Sequence, residues 1–306
     1  MPNQVALPAD ESGMVRTRMA ELGLPGLIDV HTHFMPEPVL AKVWGYFDAA
    51  GPLVARPWPI AYRTSEEQRL ATLRSFGVVA FPSLNYPHKP GMAAWLNAWS
   101  AAFAARHPDC IASATFFPEP GAAAYVQAAI SAGARVFKAH IQVGGYDPND
   151  PQLDDVWRLL EAERTPIVIH AGHGPAPGAH TGPDGIRALL HRFPELTLIV
   201  AHLGMPDYAE FLDLAAAHNR VHLDTTIAFT RFTEASWPFP RDRLPQLLRL
   251  GDRILFGSDF PSIPYPYLEA VDAVLGLGLG QAWMRGVFYD NAARLFSLDL
   301  PEVPSR

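Results

Sequence analysis

Four segments of this 306-residue chain end in side chains able to hold a cation. Asp29-Val30-His31-Thr32-His33 follows an apolar run, and side chains alternate along a strand, so His31 and His33 face the same side. Pro166-Ile-Val-Ile-His170 and Leu198-Ile-Val-Ala-His202 each close an apolar run on a histidine, and Ile254-Leu-Phe-Gly-Ser-Asp259 closes one on a carboxylate. Ordinary surface or core histidines commonly explain a lone His-x-His pair. Several strand ends bearing such groups are a different matter, because gathering them without compensation is costly. A shared divalent cation supplies that compensation. Three or four imidazole and carboxylate ligands suit zinc, and an open coordination position leaves room for water. The alternative is a solvated, hydrogen-bonded cluster without metal.

The elements that must position these groups alternate along the chain. Strand candidates run over Leu27–His31, Val78–Ser83, Ile111–Phe117, Ala134–His140, Pro166–His170, Leu196–His202, Arg220–Asp224 and Arg253–Ser258. Between them lie helical patterns such as Glu66–Phe76, Met92–Arg106, Ala122–Ala132, Leu153–Glu163, Gly185–Phe193 and Tyr208–Ala217. Mostly apolar strands separated by helices imply a parallel sheet covered by helices. Eight such units predict an α/β fold, a (β/α)8 TIM-like barrel, whose strand ends are where active sites are built. Lys138, His170 and His202 follow one another at equal spacing, about one strand-helix unit each time. The 30 prolines cluster between the elements, as stiff loops would. The reading is a single domain over 1–306, with an N-terminal extension (1–23) and an aromatic-rich insertion after the first strand (34–64). That insertion holds Trp44, Tyr46, Phe47, Trp58 and Tyr62 and either caps the barrel mouth or packs on outer helices.

Taken in order, Gly26-Leu-Ile-Asp-Val-His31-Thr-His33-Phe, Lys138-Ala-His140, Ile169-His170-Ala-Gly172, Ala201-His202-Leu-Gly204 and Phe256-Gly-Ser-Asp259-Phe-Pro261 resemble the amidohydrolase superfamily. The branch they resemble contains aminocarboxymuconate semialdehyde decarboxylase, resorcylate decarboxylases and dicarboxylate lactonases. The resemblance runs from about Leu24 to about Leu298; its motifs are specific for fold and metal centre and poorly specific for substrate. It implies that His31, His33, His170 and Asp259 bind one divalent metal, zinc by expectation, with Mn2+ or Fe2+ as alternatives. It implies that His202 either binds a second metal or polarises the substrate. Lys138 sits near the place where binuclear members carry a bridging carboxylated lysine, whereas a Lys-x-His in this branch commonly accompanies a single metal. One zinc is the favoured expectation. A buried lysine with a free ammonium is the plain alternative.

The chemistry expected of such a site is hydrolysis of a small ester, lactone or amide by a metal-activated water, since a bound dication lowers the pKa of its water toward about 7. Asp259 would take the water's proton, and His202 would stabilise the oxyanion or act as acid and base. The same residues could instead serve a non-oxidative decarboxylase. Some decarboxylases of the branch replace the first histidine of the strand-one pair with glutamate, and this chain keeps both. A third reading is a metal that only stabilises the barrel; His202, beyond what one closed site needs, argues against it. For substrate contacts the candidates are His140, His173 and Arg231, with Arg56 and Arg63 as further carboxylate-binding candidates. Asp224-Thr225-Thr226 could line the pocket or cap the following segment.

Charge and composition exclude other classes. With 24 basic against 31 acidic residues the net charge is -7, so a basic nucleic-acid-binding face is not expected. Hydrophobic residues make up 49% and charged residues 18%, the balance of a globular chain. The single Cys110 cannot form an internal disulfide, which fits a reducing compartment. Asp10, Glu11 and Glu21 interrupt the N-terminal region, and no run of about 18 apolar residues occurs, so neither a signal peptide nor a membrane span is expected. The expectation is a cytoplasmic enzyme acting on a small molecule, with a homodimer as a family habit.

Overall fold

The computed structural model describes residues 5–49, 51 and 56–300. Residues 1–4 of the expected N-terminal extension and residues 50 and 52–55 of the expected 34–64 insertion lie outside the described residues. The strands are β1 (Leu27–Ile28), β2 (Val78–Pro82), β3 (Cys110–Ile111), β4 (Ser113–Thr115), β5 (Val136–His140), β6 (Ile167–His170), β7 (Leu198–Val200), β8 (Val221–Asp224) and β9 (Ile254–Leu255). Each falls inside one of the eight expected segments except β3, which begins one residue before the third; that segment is divided between β3 and β4. Helices at Glu66–Ser75, Ala93–Arg106, Ala122–Ser131, Asp154–Ala162, Pro183–Arg192 and Tyr208–Ala217 match the expected ones to within two residues.

The chain divides into two compact units. One is made from the residues up to His33, Ala41–Phe81 and those from Thr225 onward; the other from Phe34–Leu40 and Pro82–Asp224.

In the second unit β4, β5, β6, β7 and β8 lie side by side in sequence order, every pair parallel. Their residues are almost wholly buried on both faces, which is why they read as apolar runs rather than alternating ones. The register sets Lys138 opposite Val168 and His140 opposite His170. With a two-residue period, Lys138 and His140 therefore share a side of their strand. The helix Asp154–Ala162 buries Val156, Trp157 and Leu160, the spacing of one helical face.

In the first unit β1 pairs with β2 in parallel, Leu27 opposite Val78. Past β1 the chain runs beside the segment that follows β9: Val30 N–H donates to Phe256 O (2.9 Å), Asp259 N–H to His31 O (2.8 Å) and His33 N–H to Phe260 O (2.7 Å). The helix Glu66–Ser75 starts at a reciprocal cap between Ser65 and Gln68. From the insertion, Trp58 and Tyr62 are buried in this unit, whereas Tyr46 is exposed. Among the described residues no helix is long and apolar enough to cross a membrane.

Candidate metal centre

The ladder past β1 and β9 brings His31, His33 and Asp259 together. His33 Nε2 lies 2.9 Å and His31 Nε2 3.6 Å from the same oxygen, Asp259 Oδ1. The two imidazole rings meet edge to face at 5.1 Å. One ligand atom from each of the three residues lies within 4.8 Å of the others. Ligand atoms at about 2.0–2.1 Å from a zinc ion stand about 3.3 Å apart at tetrahedral angles, so these spacings fit one ion. Both histidines are buried and the Asp259 side chain is 13% exposed, and a carboxylate drawn so far from water beside two imidazoles calls for a positive charge. Asp259 has a left-handed backbone (φ 71°), uncommon for a residue with a side chain and a mark of functional turns.

Behind this trio stands Asp29, fully buried, whose carboxylate takes four donors. His31 N–H and Ser258 N–H each donate at 3.1 Å, Ser258 Oγ–H at 2.5 Å and Tyr267 Oη–H at 2.9 Å. Burial pushes its carboxyl up to about 7 even against these four bonds, which favour the ionised form. Its backbone contacts tie the His31 segment to the Asp259 segment. Asp29 is thus a positioning residue that the sequence offered only as part of a motif.

In the second unit His170 and His202 meet. His170 Nε2–H donates to Gly174 O at 2.9 Å, which leaves Nδ1 as the lone-pair nitrogen, 3.0 Å from His202 Nε2. His140 stacks on His170 with ring centroids 4.1 Å apart and planes 11° from parallel, and its own Nδ1 accepts Val143 N–H. Lys138 is buried in the same strand as His140. His202 and Leu203 are both left-handed (φ 58° and 53°), and Asp224 Oδ1 accepts the His202 N–H at 2.9 Å. Asp224, weighed from sequence only as a pocket lining or cap, in fact holds the His202 backbone.

Two glycines of the sequence motifs sit where the chain packs too closely for a side chain. A Cβ on Gly172 would stand 2.4 Å from Met205 O and 2.5 Å from Gly204 O, and one on Gly204 would stand 2.0 Å from the Phe211 ring. The bare Gly172 lets the loops after β6 and β7 touch, and the bare Gly204 leaves room for the Phe211 ring of the following helix.

The expected substrate contacts divide. His140 lies against His170, as stated. His173 Nδ1 pairs with Asp207 at 2.8 Å and is half-exposed. Arg231 is 90% exposed and bonded to Glu269 at 2.9 Å, so its charge is already matched. Arg63 is likewise paired, with Asp48.

The sequence model of the Amidohydrolase family matches residues 28–298. No curated protein matches the chain. Solved structures resemble it in fold. An uncharacterised TIM-barrel protein of Bordetella bronchiseptica is 22% identical, with 89% of this chain and 98% of that one covered and a TM-score of 0.73. A Pseudomonas putida protein described as a candidate 2-pyrone-4,6-dicarboxylic acid hydrolase is 16% identical, covering 90% and 99%, with a TM-score of 0.63. A 5-carboxyvanillate decarboxylase of Novosphingobium aromaticivorans, with bound manganese and 3-methoxy-4-hydroxy-5-nitrobenzoic acid, is 15% identical, covering 90% and 99%, with a TM-score of 0.60. The fold is therefore the α/β TIM barrel expected from the strand-helix alternation.

Proposed function

This chain belongs to the amidohydrolase family, and from that premise we propose that it is a metal-dependent hydrolase of a small ester, lactone or amide. The observation that carries the reading is the meeting of His31, His33 and Asp259 within ligand distance of one another. The proposed ligand set is these three together with His170, which enters from its strand-ending place in the sequence and the family pattern. Zinc suits the set; manganese and iron accept the same donors, and manganese is bound in the decarboxylase similar in fold. One ion per chain is favoured over a pair bridged by a carboxylated Lys138 with His202 as a ligand.

A divalent cation bound there would acidify a water molecule and polarise a carbonyl. Asp259 accepts the proton of the attacking water while the water oxygen bonds to the acyl carbon, and then returns that proton to the oxygen or nitrogen that leaves as the acyl bond breaks. His202, whose Nε2 faces His170, stabilises the developing oxyanion or relays the proton. A second reading, non-oxidative decarboxylation, draws support from the decarboxylase with the same fold. There the same acid delivers a proton to the carbon whose bond to CO2 breaks.

Metal analysis and a substrate panel test these readings together. Wild-type protein is expected to hold one equivalent of zinc and to hydrolyse members of a lactone and ester panel without releasing CO2 from aromatic carboxylates. His33→Ala and His170→Ala are expected to lose metal and activity together, and His202→Ala to keep the metal while losing turnover. Halved metal content in His202→Ala would establish a binuclear centre. CO2 release without hydrolysis would replace the hydrolase reading by the lyase one. A fully loaded protein inert to the whole panel would favour a metal that only stabilises the fold.

A further inference from the structure

Arg56 differs from other arginines of its unit in what surrounds it. Arg18, Arg63, Arg231 and Arg241 each pair with a carboxylate at 2.7–2.9 Å. Arg56 pairs with none among the described residues. Its Nη2 donates to the Ser236 hydroxyl at 2.9 Å, and its guanidinium lies 3.9 Å over the Phe232 ring and 6.0 Å from that of Trp237. Its Nε is buried without an acceptor among the described residues. Burial lowers its pKa, the direction expected of a cation partly withdrawn from water with no anion beside it.

Two buried groups on the chain just past Asp259 share this condition. Ser262 and Tyr265 are each 3% exposed, and neither Ser262 Oγ nor Tyr265 Oη makes a hydrogen bond among the described residues. Thr230 lies near Tyr265, but its hydroxyl donates to Ile227 O at 2.9 Å and accepts Thr233 N–H at 3.2 Å. Burial, with the charges of Asp259 and Glu269, holds the Tyr265 phenol well above its ordinary value, so it keeps its proton. Phe232 links these groups: its ring lies 4.8 Å from Trp58 and 6.3 Å from Tyr265. Trp58 Nε1–H in turn donates to Ser262 O at 2.7 Å, and Ser262 N–H to Asp259 O at 3.0 Å.

All three unmatched groups are hydrogen-bond donors. Buried donors left without acceptors are costly, and each calls for an explanation. A guanidinium fork on an aromatic wall that also borders a phenol, with a hydroxyl linked to it through Trp58, suits a flat ligand bearing a carboxylate. We infer that Arg56, seated on Phe232, grips the carboxylate of a planar ligand whose remaining oxygens take the Tyr265 and Ser262 hydroxyls. As a statement about substrate this rests on the hydrolase reading; as a statement about binding it does not need the metal.

The test is calorimetric titration of the metal-stripped full chain with benzoate and, as a neutral isostere, benzamide. Benzoate is expected to bind and benzamide not. Arg56→Gln should weaken benzoate about tenfold or more, Arg56→Lys less, and the exposed, paired Arg231→Gln not at all. Tyr265→Phe should leave benzoate, which has no oxygen beyond its carboxylate, unaffected and should weaken the hydroxylated probe 4-hydroxybenzoate, without lowering the melting temperature, since it removes an unmatched hydroxyl. Circular dichroism checks that each variant is folded. Equal binding of the two probes, or unchanged benzoate affinity in folded Arg56→Gln, would overturn the inference. If zinc loads normally but Arg56→Gln has no effect, the seat falls and the metal reading stands. If no metal loads but benzoate binding depends on Arg56, the metal reading falls and the seat stands.

Discussion

The two units position their imidazoles by different devices. In the first, a buried carboxylate does it: Asp29 gathers backbone and hydroxyl donors from the His31 and Ser258 segments, and the His31–His33–Asp259 trio follows from the way they are tied. In the second, the absence of a side chain does it: Gly172 lets two loops touch, and His170 and His202 meet at 3.0 Å. A polar staple depends on one functional group and carries a desolvation cost. A steric contact depends on no group at all and fails only when volume is added. Substitutions should therefore disturb the two units in different ways.

The largest effect is expected inside the trio itself. Asp259→Ala removes the proposed proton acceptor and one ligand, so turnover should fall by about 10^2–10^4-fold and metal content with it. Elemental analysis beside a rate assay checks this. Metal retained at full stoichiometry with activity unchanged would remove Asp259 from the chemistry. Next comes the staple. Asp29→Ala leaves four buried donors without an acceptor and should destabilise the protein by about 3 kcal/mol or more in denaturant titration. A loss below about 1 kcal/mol would mean that the β1 and β9 ends hold each other through their backbone ladder alone.

The matching substitution in the second unit is Gly172→Ala. A methyl there would collide with two backbone oxygens, Met205 O and Gly204 O, which cannot rotate away as a side chain would. Overpacking of this kind costs about 1–3 kcal/mol. The added methyl should also part the loops and weaken the His170–His202 contact, which histidine nuclear magnetic resonance would register as a changed ring environment. An unchanged melting temperature with unchanged histidine signals would show that the loops reach each other without the glycine.

Much of this architecture was legible in the sequence, because strands buried on both faces must be apolar throughout and so stand out between helices. The ends of the strands were less legible. Past Val200, where β7 stops, His202 and Leu203 turn left-handed, and Asp259 does the same after β9, so these two groups sit just past their strands, whereas His140 and His170 close theirs. Residue type gives no warning of such a backbone. Asp29 and Asp224 escaped full weight for another reason: each accepts a backbone N–H brought to it by folding, from Ser258 and from His202. The arginines teach the same lesson. Arg231 and Arg56 are equal candidates by type, and only their surroundings show that the first already has Glu269 while the second faces aromatic rings.

The smallest expected effect asks whether the carboxylate staple recurs within the first unit. Glu11, on the helix Glu11–Glu21, is buried and accepts Tyr62 Oη–H at 2.8 and 2.9 Å and Leu268 N–H at 3.0 Å. Tyr62 also accepts Tyr267 N–H at 2.7 Å, and Tyr267 Oη–H reaches Asp29, so the two carboxyl groups belong to one network. Burial, outweighing those bonds, raises the Glu11 carboxyl above its ordinary 4.5. The folded protein then holds this proton more tightly than the unfolded chain does. The associated stability is complete below 4.5 and is lost as pH rises through the folded value. Glu11→Gln keeps an acceptor oxygen and cannot ionise. Between pH 4.5 and neutrality, wild-type protein should therefore lose stability relative to the variant, as read from urea midpoints at several pH values. The opposite slope would mean that the Tyr62 and Leu268 bonds outweigh burial, and that this carboxyl group, unlike Asp29, is held ionised by its donors.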